Sequence, residues 1–210
     1  MTTPVQTVPR SRNINIWKDA EVYTSTDNTA QIGADGTFDP AVWDFFGLLN
    51  TGSSIGQELD VAREDVQSFG AKLELKDVKF NKDTRTVTAL EDNETNFKLL
   101  WPDSEWKDNG TSVLMAPKDA AEVVVAFKTV NSFGDVLIDI SRIPAFAYAS
   151  GQEKGDEGAS TTEFTFEILE DEKGALYDRL RIKDDGTVTP EDVTPVRIVE
   201  QTNPEDPVNP

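Results

Sequence analysis

Between Phe69 and Trp101 the sequence FGAKLELKDVKFNKDTRTVTALEDNETNFKLLW changes its hydrophobic period once, and that change limits the folds open to the chain. Leu73 and Leu75 alternate with Lys72, Glu74 and Lys76, the period-two pattern of a strand with one buried face. Asn81-Lys82-Asp83 breaks the pattern over a length suited to a hairpin. Thr84–Leu90 is rich in β-branched residues, with Val87 and Ala89 on one face and Thr86, Thr88 and Leu90 on the other. The period then becomes helical: Leu90, Phe97, Leu100 and Trp101 share one side of a wheel. Glu91, Asp92 and Glu94 suit the positive end of a helix dipole, and Pro102 stops the helix. The expected unit is strand, hairpin, strand and one short helix, with the remaining chain adding sheet to it.

The rest of the sequence supplies that sheet. Residues 1–12, with Pro4 and Pro9, read as an N-terminal arm. Asn13–Thr24 places Ile14, Ile16 and Val22 on one face of a first strand, kinked near Trp17–Ala20. Ser25–Thr37 is a long polar loop. Asp39-Pro40 suits the start of one helical turn, and Gly47 interrupts the apolar run that follows. Leu59–Gln67 is a short amphipathic piece rich in acids. Asn109-Gly110 signals a hairpin leading into Thr111–Ala116. Ala120–Val130 is long and β-branched enough for a buried strand, and Ser132–Asp135 turns it into Val136–Ile140. Ser150–Ser160 reads as a flexible acidic loop. Phe164, Phe166 and Ile168 then alternate cleanly with Glu163, Thr165 and Glu167, and Asp171–Gly174 returns the chain into Leu176–Lys183. Seven or eight strands with a single helix predict a mainly β fold, a β-sandwich or barrel. One domain is expected over 13–186, followed by a Pro-rich C-terminal arm over 187–210. In that arm only Val196–Val199 is strand-capable; Val196, Ile198 and Val199 are candidates for adding a strand to a neighbouring subunit.

Composition excludes more chemistry than it suggests. The chain has no Cys and no His, which removes thiolate and disulfide chemistry and the commonest general base and metal ligand. No window approaches the ~20 apolar residues of a membrane span, and the N-terminal stretch lacks the apolar core of a secretory signal. The 39 acids outnumber the 20 bases, for a net charge of −19, the opposite of a nucleic-acid reader's basic footprint. Carboxylates abound, but they fall on solvent faces and in loops, with no sign of the buried pair that hydrolysis by two acids requires. Trp17, Trp43, Trp101 and Trp106 could stack on sugars, although Trp43 and Trp101 occupy positions suited to a core. Asp184-Asp185-Gly186 lacks the spaced ligands of a calcium loop. No catalytic, cofactor-binding or metal-ligating residue is nominated.

Three stretches in this order, NINIWKDAEVYTST, WDFFGLLNTG ahead of an acidic connector, and SFGAKLELKDVKF with TRTVTALEDNETNFKLLW, carry a resemblance. With VLIDISRIPAFAY and EFTFEILEDEKG, the chain resembles the major tail tube proteins of long, non-contractile-tailed bacteriophages. The likeness spans Asn13 to Lys183, about four-fifths of the chain. It implies a tail-tube-type β-sandwich with one flanking helix and extended arms. It also implies hexameric rings stacked into a tube around a tape-measure protein. Such a tube ends on tail terminator and tail-tip proteins and is assembled in the host cytoplasm into the virion tail, with no membrane contact. DNA would pass through the lumen without specific binding. An acidic wall would repel the phosphates, which lie about one per 1.7 Å of duplex axis. Glu74, Glu163 and Glu167 are candidates for that lining, and Ser150–Ser160 for shielding open sheet edges before assembly. The competing expectation is a non-catalytic carbohydrate-binding β-sandwich on a phage or bacterial surface.

Overall fold

The computed structural model describes residues 16–50, 55–67, 74–107, 112–116, 120–155, 159–189 and 196–199. The N-terminal arm over 1–12 and the Asn109-Gly110 turn lie outside these residues, as do Ile14 and Leu73. The fold is mainly β, a curled antiparallel sheet that forms half of a barrel. Its strands are β1 (Trp17–Ser25), β2 (Ile32–Gly33), β3 (Asp44–Phe45), β4 (Gly56–Gln67), β5 (Glu74–Ala89), β6 (Glu105–Lys107) and β7 (Ser112–Leu114). They continue as β8 (Ala121–Asn131), β9 (Val136–Ser141), β10 (Ala145–Glu153), β11 (Thr161–Ile168), β12 (Tyr177–Ile182), β13 (Val188–Thr189) and β14 (Ile198–Val199). The main sheet runs β13-β12-β9-β8-β10-β11-β5-β4, with β1 paired to β8 and β3 to β1.

β8 sits where the sheet divides. Its residues 124–131 pair with β1, 126–130 with β9, and 121–123 with β10. From Val123 to Phe127 both of its faces are buried, so the sequence VVVAF is continuously apolar and does not alternate. Val123, Val125 and Phe127 enter one core with Phe46, Val87, Phe164, Phe166 and Ile168. Val124 and Ala126 enter a second core with Ile138, Ile140 and Leu180, roofed by Ile32 and Trp43 of the long 26–45 segment. Within the first core Phe46 meets Phe164 edge-on at 5.1 Å, and Phe127 meets Phe166 edge-on at 5.8 Å. These are the favourable geometries for aromatic quadrupoles.

The alternation of Phe164, Phe166 and Ile168 is that of a half-buried strand, and all three are fully buried. Val87 and Ala89 are buried as their period requires. The kink expected in the first strand is a register shift between Trp17 and Asp19. Asp39 opens a single turn, accepting the amides of Val42 and Trp43 before β3 begins. Ser132–Asp135 and Asp171–Gly174 form turns, with Gly134 and Gly174 at positive φ. β6 pairs with β7 from Lys107 opposite Ser112, as a hairpin over Asn109-Gly110 requires.

Four expectations change. Asn81-Lys82-Asp83 is not a hairpin: β5 runs straight through it for 16 residues. Asp60 lies opposite Lys82 and Val61 opposite Phe80, so Asn81 is the extra residue of a β-bulge. The partner across β5 is the 12-residue β4, which the acid-rich Leu59–Gln67 piece helps to build. The helix α1 (Glu94–Leu100) starts later than the period change suggests, because the Leu90 amide is already bonded to the Leu48 carbonyl along the edge of β5. Asn93 caps the helix by accepting the Asn96 amide at 2.9 Å. Finally, the C-terminal arm expected over 187–210 contributes β13 and β14 to the domain itself.

The aromatic contact at the heart of the first core sets its cost of disruption. Phe166→Ala is expected to destabilise the protein by about 3–5 kcal/mol, read as a lowered denaturant midpoint at unchanged slope. A loss below about 1 kcal/mol would mean that the half-barrel packs elsewhere.

Candidate functional site: an acidic sheet face and a docked C-terminal segment

Register places residues in rows across the β10–β11–β5–β4 region. One row reads Phe146, Glu167, Thr84 and Glu58, with Glu122 of β8 beyond Phe146. The next reads Tyr148, Thr165, Thr86 and Gly56, and Glu163 follows opposite Thr88. Lys82 lies opposite Asp60. The alternate rows, Ala147-Phe166-Arg85 and Ala149-Phe164-Val87, face the core. Period two therefore puts Glu58, Asp60, Glu163 and Glu167, with Glu122 of β8 beside them, on the outer face, where Lys82 is the ammonium opposite Asp60.

That ammonium is already committed. Lys82 Nζ lies 2.5 Å from Glu167 Oε1, and Tyr148 donates its hydroxyl to the same oxygen at 3.1 Å. The hydrogen bond to Glu167 raises the Lys82 pKa. Partial burial, then the hydrogen bond and charge of Glu167, raise that of Tyr148. The pair is half-exposed and contributes at most about 1 kcal/mol; Asp60, opposite Lys82, also feels its charge, and among the described residues Glu58, Glu122 and Glu163 have no ion-pair partner on this face. Glu58, Asp60, Glu122 and Glu163 are exposed. The face ends at β4, which occupies the border of the main sheet. Gln57, Glu58, Leu59 and Asp60 are exposed one after another, so neither face of this strand is covered there. Beyond Asp83 no β11 residue reaches β5, and residues 74–82 pair with β4 alone.

Of the acids nominated from sequence, Glu163 and Glu167 lie together on this face. Glu74 lies at the far end of the two-stranded ribbon, paired with Gln67, and its side chain is outside the described part of the molecule. Ser150–Ser160 is only partly a loop: β10 runs on to Glu153 past a register shift at Ser150, and residues 156–158 lie outside the description.

Val196, Ile198 and Val199 are found on the body of their own chain. Ile198 and Val199 pair in parallel with Ile32 and Gly33, so the segment forms a strand on β2 of the same chain. The residue that holds it, Arg197, was not singled out from sequence. Arg197 is buried, and its guanidinium donates to four backbone carbonyls: Asn28, Ala30, Ser141 and Arg142, at 2.5–3.3 Å. The amides of Val196 and Arg197 both donate to Asp178 Oδ2 at 2.6 Å. Asp178 Oδ1 accepts from Arg142 Nη1, and Arg142 Nε donates to Asp171 Oδ2, each at 2.6 Å. Five fixed donors make arginine suited to collecting carbonyls at a chain corner. The sole hint in the sequence is a lone base within a proline-rich acidic tail.

The four tryptophans do not assemble. Trp43 is buried and donates its indole N–H to the Gln31 carbonyl. Trp106 packs on Phe97, Trp101 caps α1, and Trp17 stands half-exposed at the start of β1. Tyr23 and Phe38 stack at 3.9 Å, each covering the other's face. Among the described residues no group of His, Cys, Asp and Glu could hold a metal ion, and no helix is long and apolar enough to cross a membrane. Comparison with protein-family models and with characterised proteins finds no match to this chain.

The corner under the docked segment carries a pH dependence. The Ala175 amide first, and then Arg142, hold the Asp171 carboxyl below its ordinary pKa. A depressed carboxyl contributes stability that is present above its unfolded value, near 3.9, and is lost as pH falls through the folded value. Thermal melts of Asp171→Asn should therefore be lower than wild type at neutral pH and converge with it in acid. Parallel curves at all pH values would remove Asp171 from this role.

Proposed function

We propose that the protein is a non-enzymatic structural subunit that assembles with copies of itself into a hollow tube of the phage tail type, its acidic sheet face lining a passage for DNA. The observation that carries this reading is the outer face of the β10–β11–β5–β4 region. It is rich in carboxylate and threonine, and among the described residues it ends on a strand, β4, whose outer edge has no partner. Long unpaired edges invite pairing with another chain, and a closed ring of copies removes them. A two-stranded ribbon is at best marginal alone in water, so residues 74–82 and their β4 partners suit a subunit completed by neighbours. Exposed carboxylates gathered on one face would repel a phosphate backbone, where a basic wall would retain it through counterion release.

The tube reading is tested by negative-stain imaging of concentrated protein. Hollow rods of uniform diameter are expected, and dispersed particles at every concentration up to precipitation would refute it. The lining is tested separately on assembled material. Wild-type tubes should not retain duplex DNA. Tubes carrying Glu58→Lys, Glu122→Lys and Glu163→Lys should retain it at low salt and release it as salt rises. Equal DNA retention by both would place these acids away from the passage.

A further inference from the structure

We propose that the groove holding residues 196–199 is an exchange site, which receives the same segment from a second copy of the chain as readily as from its own. The proposal takes its partner from the self-assembly reading, and its contacts from the groove alone.

The receptor consists wholly of residues outside the segment. Asn28, Ala30 and Ile32 come from the loop ending in β2, Ser141 and Arg142 from the corner between β9 and β10, and Asp178 from β12. Ile32 donates its amide to the Arg197 carbonyl, and the Gln31 side chain donates to the Val196 carbonyl. These contacts join residues 18 to 169 positions apart, so none is a local turn that only the same chain could complete. The groove reads an extended backbone flanking one arginine. Its chemistry does not distinguish whose backbone that is.

The segment also leaves surface unused. Val196 and Val199, on either side of buried Arg197 and half-buried Ile198, remain 44% and 48% exposed. Docking within one chain covers the anchor but not the flanking valines, and a second copy could cover both. Residues 190–195 separate β13 from Val196. Seven backbone steps reach at most about 25 Å, so the donor's Thr189 must lie within that distance of the acceptor groove. Contacts of equal quality within and between chains make the choice one of effective concentration. Docking within the chain wins in dilute solution. Exchange wins where copies are held side by side, as in other swapped assemblies.

The test uses two full-length variants, each broken in a different half. Asp178→Asn damages the groove and leaves the segment intact; Arg197→Gln damages the segment and leaves the groove intact. Hydrogen exchange at the 196–199 amides of isotopically labelled Asp178→Asn chains is read alone and after mixing with Arg197→Gln chains. Exchange between copies predicts that the labelled segment becomes protected about tenfold or more on mixing, increasingly so with concentration. Exchange rates unchanged by mixing at every concentration overturn the proposal. Should either variant fail to fold, two single-cysteine proteins, Gln31→Cys and Val196→Cys, report the same event in a sequence otherwise free of Cys. Oxidation of the mixture should favour the mixed disulfide dimer over both homodimers, and a random distribution counts against exchange. Because both readouts are taken in solution, exchange without rods would sink only the tube reading, and rods without exchange only this one.

Discussion

Burial of both faces of β8 is the constraint on which the rest of the molecule depends. A strand covered on one side can belong to a simple sandwich, but Val124 and Ala126 enter one core while Val123, Val125 and Phe127 enter another. Three layers are therefore needed: the curled sheet containing β10, β11 and β5 on one side, β8 with β1 and β9 in the middle, and the 26–45 segment on the other. This explains why a stretch of mostly irregular chain between β1 and β3 holds such buried residues as Ile32 and Trp43. It also explains why that segment needs the Arg197 contacts. The carbonyl of buried Ala30, brought against the sheet without a ladder partner, would otherwise carry a desolvation cost of about 1–3 kcal/mol.

Buried charge then ties the layers at the open side of the half-barrel. Asp83 is fully buried on the core side of β5, with Tyr177 donating to its Oδ2 at 2.6 Å and Gln57 at 2.9 Å. Arg85 lies 3.2 Å from the same oxygen and 3.8 Å from Asp139, whose carboxylate is bidentate to Arg179. Arg85 also stacks over Phe127 and Tyr177. A network of this kind contributes less to stability than equivalent apolar packing, but losing one member strands a buried charge. Its effect is to fix β5 against β9 and β12 at one distance, where purely apolar faces could slide. Among the described residues Asp83 Oδ1 has no hydrogen-bond partner.

What could be read from the sequence follows from which residues carry a periodic signal. β11 was legible because one face meets core and the other solvent, and the 120–130 run because both faces are apolar. β4 gave no such signal: with Gln57 to Asp60 exposed in succession, no alternation is imposed on it. The bulge at Asn81 was misread as a turn because a polar triplet has the same composition in either role. Only the partner strand distinguishes them, and that partner was not legible. Glu163 and Glu167 could be assigned to one face from period two, whereas the contributions of Glu58, Asp60 and Glu122 required the register of four further strands, β5, β4, β10 and β8. Arg197 was invisible for a different reason. Its partners are backbone carbonyls, which every sequence supplies, and they come from segments up to 169 positions away.

The two ends of the described chain segments illustrate two ways of satisfying a backbone. At β14, a two-residue parallel ladder is too short to hold a strand, and a single side chain with five donors compensates by fixing the carbonyls of two other segments. At β4, a 12-residue antiparallel ladder pairs one side of the strand along its length, and among the described residues the other side has no partner strand. The first solution is compact and saturated, so it depends on the fidelity of one residue. The second is extended and unsaturated, so water or another backbone must complete it. Acidic side chains at Glu58 and Asp60 bias that choice: like charges oppose random pairing of two β4 edges. A partner must therefore bring donors and acceptors in register together with a different charge pattern. In the tube proposed above, that requirement would favour a head-to-tail contact over a symmetric one, and head-to-tail contacts are the kind that generate rings.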